Sequence, residues 1–547
     1  MRWGLTLGVG AWITVRLWTR ILAQSFFVDD AFISFRYARN LGEGHGLVWN
    51  PAEYVEGYTN LLWVLLMALT SWIGAAPETT SLVLGSWAGA GTLAVVTWYA
   101  GRRTQWSPWA WLPALWLVHL PTFTAWCSGG LETMLFTLLL TAGTLRGLEE
   151  LDSPEKRPWS ALLAWLAYLT RPEGAMLLAG LGGLHLYRAW RQPGHRMRCT
   201  VWLTLSSLGV AGHMAWRLIY YRAWLPNTFH AKVNGTWWEQ GGQYLALFHE
   251  DYHAGWWLPL LLLLAWRRRG IEVLLPVGLI FVQLAYVWAI GGDRFEYRFL
   301  VPLLPLVGLL IAQCLEELTG QLQAARLRSG AALAAAGIWI VASWWGGTEA
   351  YEEGGMRHDV ESVRFTGDYA QLRIDEGRTL REAIDLGLLR SDLVFAAAGA
   401  GAIPYYTGWP TIDVLGLSDA TVAHSETGER SMIAHEHYAS QEYLERRKVV
   451  VFDALNALVH SSLSGIESSK KAANGTWSLH NYQLHEGLMV FATTLTRSEL
   501  ADTFDLSQLD NEVPSGHQEN CAPNCTQGAR RVQVACADQP SGMPCTP

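Results

Sequence analysis

The sequence predicts a polytopic α-helical membrane protein of about eleven spans with a C-terminal α/β domain on the outer side. Three observations carry that reading. Apolar runs succeed one another through residues 1–346 with short polar breaks. The chain holds 30 Trp in 547 residues and only 16% charged side chains, a composition suited to aromatic belts at membrane interfaces. Beyond residue 347, His, Asp, Glu, Ser and Thr return at the density of an ordinary soluble chain. The expected division is a transmembrane domain over 1–346 with an outer loop at 28–80, a soluble α/β domain over 347–500, and a Cys-containing, weakly ordered tail over 501–547.

A span needs about 20 apolar residues. Candidate runs centre on 5–25, 81–100, 107–126, 131–147, 158–170, 175–190, 199–220, 254–266, 271–290, 299–317 and 330–346. The first run could pass for a secretory signal, but Arg16 and Arg20 interrupt its apolar core, so it reads as an uncleaved helix. A further run, Leu61–Trp72, is decided by the positive-inside rule. Suppose it does not cross and the N-terminus is cytoplasmic. Then Arg102 and Arg103, Lys156 and Arg157, Arg188, Arg191, Arg196 and Arg198, Arg267 to Arg269, and Arg326 and Arg328 all lie inside. Leu61–Trp72 is therefore expected along the outer interface, and the soluble domain is expected outside a bacterial inner membrane.

A net charge of −8, with positive charges scattered through short loops, offers no basic patch for nucleic acid. Cys127, Cys199 and Cys314 lie in or beside apolar runs, where a lone buried thiol is expected. Cys521, Cys525, Cys536 and Cys545 crowd the polar tail. An even number of Cys there points to disulfides in an oxidising compartment, and a zinc site is the rival that the lack of a paired C-x-x-C disfavours.

This topology gathers the polar and Gly-rich motifs on the outer side. Asp29 and Asp30 follow the first run directly. Two adjacent carboxylates beside hydrocarbon are costly and usually functional, and transfer of a sugar to a hydroxyl needs a base. Either aspartate could instead cap a helix through Ala31–Leu41, leaving the other to project inward. His45 and Glu56 in the same loop are reserve contacts for an acceptor. Glu132 opens a helix or lines a cavity. Arg171 and Glu173 flank Pro172 at a helix break, where Arg171 either meets a phosphate or pairs with Glu173. His230, Lys232, Arg294 and Arg298 are candidates for an anionic donor, because cations at the membrane boundary make charge-assisted bonds to phosphate. Snorkelling to the interface is the plain alternative. Asp293 stands among them after Gly291 and Gly292.

In the soluble domain, a helix near Thr379–Leu389 and strand-like LVFAAAGAGAIPYYTG, TIDVLGLSD, RKVVVFDAL and GLMVFATTL suggest a small α/β unit. Gly399, Gly401 and Asp413 give a weak nucleotide-turn pattern, and Pro404 argues for a loop. His435 and His437 cannot share one helical face, so His435-Glu436-His437 is not a zinc-protease motif. No P-loop, serine-hydrolase elbow or EF-hand is present, and no residues are assigned to a metal.

The motifs DDAFISFRYARNLGEGHGLVWNPAEYVEGYTNLLW, GLET, TRPEG, LPNTFHAK, GGDRFEYRFLVPLLPL and AAGAGAIPYYTGWPTIDVLGLSD occur in this order. Together they resemble the bacterial relatives of the mycobacterial terminal arabinofuranosyltransferase, in the glycosyltransferase C superfamily. The resemblance runs from about Asp29 to about Asp419. It implies many membrane helices, juxtamembrane helices after the first outer loop and an outer soluble domain above a cavity. It also implies catalytic carboxylates at Asp29 and Asp30, and a polyprenyl-phosphate sugar donor, decaprenyl-phospho-arabinofuranose in the mycobacterial enzymes. His230 replaces an aromatic of the family, and GGDRFEY departs from its usual GGD-F-M pattern, so the sugar stays open. The expected function is transfer of a sugar, with arabinofuranose the one implied, to an extracytoplasmic glycan, lipid or protein. No cofactor is assigned, and a divalent metal is left open. The rival class is a polytopic transporter or lipid-sugar flippase, disfavoured by charges confined to one rim and by the lack of an internal repeat.

Overall fold

The computed structural model describes residues 2–449 apart from 154, 233–234, 321–325, 353–354, 386–390 and 427–435, and past 450 only the strands given below. The Cys-containing tail, with Cys521, Cys525, Cys536 and Cys545, lies outside the described residues, as does His435. The chain forms two compact units that do not follow chain order. One holds Met1–Phe26, Thr59–Trp224 and Gly235–Val363, and the other Phe27–Tyr58, Leu225–Asn234 and Arg364–Pro547. The loop expected at 28–80 is thus divided, and its first part belongs with the C-terminal residues.

The first unit is helical. Among the described residues two of its helices, Pro77–Arg103 and Ile271–Ile290, are long and apolar enough to cross a membrane. Arg2–Ala23, Thr133–Asp152, Gly174–Arg191, Arg196–Tyr220, Leu304–Gly320 and Arg326–Glu352 fall where apolar runs were expected. Leu61–Ser71 has 11 residues, a rise of about 16 Å at 1.5 Å per residue, against about 30 Å of hydrocarbon. It is too short to span. The run at 107–126 is not one helix: a 3-10 turn at Pro108–Trp111 and helices Leu112–Leu117 and Pro121–Ala125 replace it. Pro108, Pro113 and Pro121 each open one of these pieces, because proline breaks a helix interior but suits a first turn. Trp238–Tyr252 is a helix with no counterpart among the apolar runs. It is too polar to read as a span, and its buried Tyr244, Leu247, Phe248, Asp251 and Tyr252 follow the helical period. Small residues permit close packing: a Cβ on Gly143 would lie 2.8 Å from Leu177 Cδ2, and one on Gly147 2.3 Å from Leu181 Cδ2.

The second unit carries a parallel sheet with Phe395–Ala397 between Thr411–Asp413 and Val451–Asp453. Its core gathers Ala396, Ile412, Val414, Leu415, Val422 and Tyr443. Further antiparallel strands are Leu458–His460, Leu488–Val490 and Tyr482–Gln483 in one sheet, and Thr493–Leu495, Trp477–His480 and Ser468–Lys471 in another. The helix expected near 379 begins much earlier, as Val363–Asp385. Pro404 does not make a loop; it sits in the first turn of helix Ala402–Thr407, where its missing N–H is harmless.

Candidate active site

The paired aspartates open helix Asp29–Gly42 in the second unit. Neither acts as its N-cap: that position is Val28, with no side-chain cap bond. Asp29 instead turns to another helix start. Its Oδ1 accepts from Ala402 N at 2.8 Å and its Oδ2 from Gly401 N at 3.1 Å. A carboxylate on orphan helix N–H groups satisfies both partners. A side chain at position 401 would destroy this approach, since a Cβ there would lie 2.0 Å from Asp29 O and 2.5 Å from Oδ2. Burial holds the Asp29 carboxyl above the ordinary carboxylate range, with Arg373 and the two N–H donors pulling the other way.

The same helix is anchored at two further points. Buried Arg36 donates to Trp49 O, Pro404 O and Trp409 O at 2.8–2.9 Å, and its guanidinium lies 4.4 Å from the centre of the Trp49 ring. Arg39 donates to Tyr405 O. Phe32 and Phe35 pack edge-on against Tyr405. The helix is therefore fixed along its length, and Asp30 is fixed with it. Asp30 is half-buried, and among the described residues no hydrogen bond or ion pair engages its carboxylate.

The first unit assembles a separate charged cluster. Arg171 donates from Nη1 to Glu132 at 2.9 Å and from Nη2 to Glu173 at 2.8 Å. Asn60 donates to the second oxygen of Glu132 at 2.8 Å. Arg298 donates from Nε to Asp293 at 2.7 Å. The Phe299 ring lies under both guanidiniums, 4.6 Å from Arg171 and 5.3 Å from Arg298. Of the alternatives for Arg171, the structure has the pairing with Glu173. All of the Arg171 nitrogens are engaged, whereas among the described residues no hydrogen bond engages Nη1 or Nη2 of Arg298.

The remaining candidates are dispersed. Arg294 pairs with Glu361 at 2.6 Å. In the second unit, His230 is tilted against His424 with ring centres 4.5 Å apart, and Lys232 is exposed. Glu56 is buried, and its carbonyl accepts from Asn227 N at 3.0 Å. His45 is half-exposed beside Glu43. Among the described residues no group of three His, Cys, Asp or Glu is placed to hold a metal ion, and Cys127, Cys199 and Cys314 are buried free thiols.

Several buried ionisable groups lie outside the site expected from the sequence, which marks only Asp413 among them, in the weak nucleotide-turn pattern. Glu296 accepts from Thr122 at 2.7 Å, Tyr252 at 3.0 Å and Trp126 at 3.3 Å, and burial pushes it up to about 7. Asp413 accepts from Ser418 N at 2.8 Å and Leu415 N at 3.0 Å, and burial pushes it up to about 7. Arg373 and Glu376 are buried on helix Val363–Asp385. In the sequence nothing sets them apart from the charges of a solvated helix.

The class so defined is a helical protein with membrane-length apolar helices and paired acidic residues held on an α/β unit. Comparison places it beside particular enzymes. The chain is 29% identical over 306 residues to the terminal β-(1→2)-arabinofuranosyltransferase of Mycobacterium tuberculosis, covering 48% of this chain and 47% of that protein. It is 27% identical over 352 residues to the protein of the same name from Corynebacterium glutamicum, covering 54% and 48%. The chain spans about half the length of the curated relatives it matches. It is thus a relative of the terminal arabinofuranosyltransferases, the family its motifs resemble. Residues 366–503 match a family described as a domain of unknown function, DUF8728. Among solved structures it is similar to ArnT of Cupriavidus metallidurans bound to undecaprenyl phosphate, with a TM-score of 0.49, 12% identity and coverage of 75% and 85%. It is also similar to the arabinosyltransferase EmbB of Mycobacterium smegmatis, with a TM-score of 0.40, 11% identity and coverage of 85% and 45%.

Proposed function

We propose that the chain is a multi-pass membrane glycosyltransferase that moves a sugar, arabinofuranose by kinship, from a polyprenyl-phosphate donor to an extracytoplasmic glycan, lipid or protein. The N-terminus is cytoplasmic and the C-terminal domain extracytoplasmic in this reading. One observation carries it: two adjacent aspartates have separate fates. Asp29 is spent on backbone N–H groups, while Asp30, held rigidly beside it, has a carboxylate that no hydrogen bond or ion pair engages among the described residues. A half-buried carboxylate on a fixed helix start suits a base that takes the proton of an acceptor hydroxyl. Asp30 is therefore the base and Asp29 its anchor. The donor phosphate is assigned to the terminal nitrogens of Arg298, with Lys232, Arg294 and His230 as lesser contacts and Arg171, its nitrogens engaged by Glu132 and Glu173, in support. Glu132, Glu173 and Asp293 orient those arginines.

The test uses the purified full chain in lipid with a panel of polyprenyl-phosphate sugars, measuring released carrier phosphate. D30N is expected to lower turnover by a factor of about 100 or more, the scale of lost general-base catalysis. Full turnover in D30N would sink this assignment. Accessibility labelling at position 30 from the cytosolic side would contradict the topology.

A further inference from the structure

We propose that helix Val363–Asp385 carries a positioning array, Tyr369, Arg373 and Glu376, which seats the paired-aspartate helix through Asp29. This gives a role to the stretch matched as a domain of unknown function, which covers residues 366–503. The proposal rests on the glycosyltransferase reading only for its catalytic consequence.

Tyr369, Arg373 and Glu376 are spaced four and three apart, which puts them on one helical face. Thr366, Ala370, Arg373, Glu376 and Leu380 are buried along that stripe. Two of its positions hold charges where apolar residues would cost far less to bury. The two groups face one another, and Arg373 lies toward Asp29 as well. Arg373 Nη1 lies 2.6 Å from Glu376 Oε2, and the Arg373 guanidinium stands 5.9 Å from the centre of the Tyr369 ring. Gly399 marks the meeting point: a Cβ there would lie 2.6 Å from Tyr369 Oη, 3.5 Å from Asp29 Oδ2 and 3.7 Å from Arg373 Nε. The helix also touches the element that Asp29 caps. A Cβ on Gly377 would lie 3.1 Å from Ala402 O and 3.2 Å from Ile403 Cα. Arg373 thus supplies a positive charge that opposes the burial penalty on Asp29, whose carboxyl oxygens accept from the Gly401 and Ala402 amides. Asp30, the next residue, inherits its position. None of the three is given a contact with substrate; they act through Asp29.

The first readout needs no activity. Hydrogen exchange is followed by mass spectrometry on the full chain in lipid, over peptides covering 399–403, in wild type, R373Q and D29N. Both variants are expected to speed exchange of the Gly401 and Ala402 amides about tenfold or more, the scale of hydrogen bonds to a charged group. Peptides around Trp49, held by Arg36, should change by less than about twofold. R373K, which keeps the charge, should retain most of the protection. Unchanged exchange at 399–403 in R373Q overturns the proposal. If R373Q does not fold, unchanged exchange in D29N overturns it equally. The second readout is transfer from polyprenyl-phosphate sugars, where R373Q should lower kcat about tenfold with the donor KM unmoved. Full kcat in R373Q overturns the catalytic consequence. A wild type that turns over no sugar while exchange responds as expected rejects the glycosyltransferase reading and leaves the seating in place.

Discussion

Arg36→Met tests what ties Phe27–Tyr58 to the residues beyond 364. Arg36 is buried and donates to Trp49 O at 2.9 Å, to Pro404 O and Trp409 O at 2.8 Å, and to Asn50 Oδ1 at 3.1 Å. Among the described residues no carboxylate hydrogen-bonds to it; oxygen dipoles and the Trp49 ring meet its charge, and burial lowers its pKa to about 9. Methionine fills much of the space over Trp49 but donates nothing. Asn50 Oδ1 keeps a donor, Thr411 N at 3.0 Å. The carbonyls of Trp49, Pro404 and Trp409 lose the guanidinium but keep Asn40 Nδ2 at 2.9 Å, Gly408 N at 3.1 Å and the Thr411 hydroxyl at 2.8 Å, so none is orphaned and each lost bond costs about 1 kcal/mol. Relief from burying a cation offsets part of this, leaving a net loss of about 2–3 kcal/mol. For a unit of this size that lowers the melting midpoint by about 6 °C. Thermal unfolding of the full chain in lipid, with limited proteolysis of residues 43–58, measures it. A midpoint within about 2 °C of wild type, with no new cleavage, would refute the reasoning.

Three further outcomes follow from particular contacts. Gly401→Ala drives a methyl onto Asp29 and should cost about 1–3 kcal/mol, read as a lower melting midpoint together with faster exchange at 399–403. Glu376 is pushed up to about 8 by burial, with Arg373 opposing. The folded state then keeps a proton that the unfolded chain releases near the ordinary carboxylate range, so stability should fall as pH rises from about 5 to about 8. Asp29 and Asp413, also raised, add the same sign. Equilibrium unfolding across that range checks it, and E376Q should flatten the slope. Arg171→Met strands the buried carboxylates Glu132 and Glu173 and should cost about 3–5 kcal/mol, with E173Q in the same chain recovering part of the loss in a denaturant titration.

Much of the architecture is local and therefore legible in the chain. Most apolar runs of span length became helices because the 3.6 period and hydropathy act within one segment. The short run after Asn60 became an 11-residue helix, and three prolines broke up the stretch at 107–126 where any reader of the sequence could have placed the breaks. The order of motifs likewise identified relatives that comparison recovers. Partnership across hundreds of residues is another matter. Nothing near Asp29 and Asp30 says which carboxylate is consumed, because the amides that consume one of them lie at 401 and 402. The charges of Arg373 and Glu376 look like those of a solvated helix until tertiary packing buries them. Burial and long-range hydrogen bonding are properties of the folded chain. They decide which ionisable side chain serves structure and which is left for chemistry.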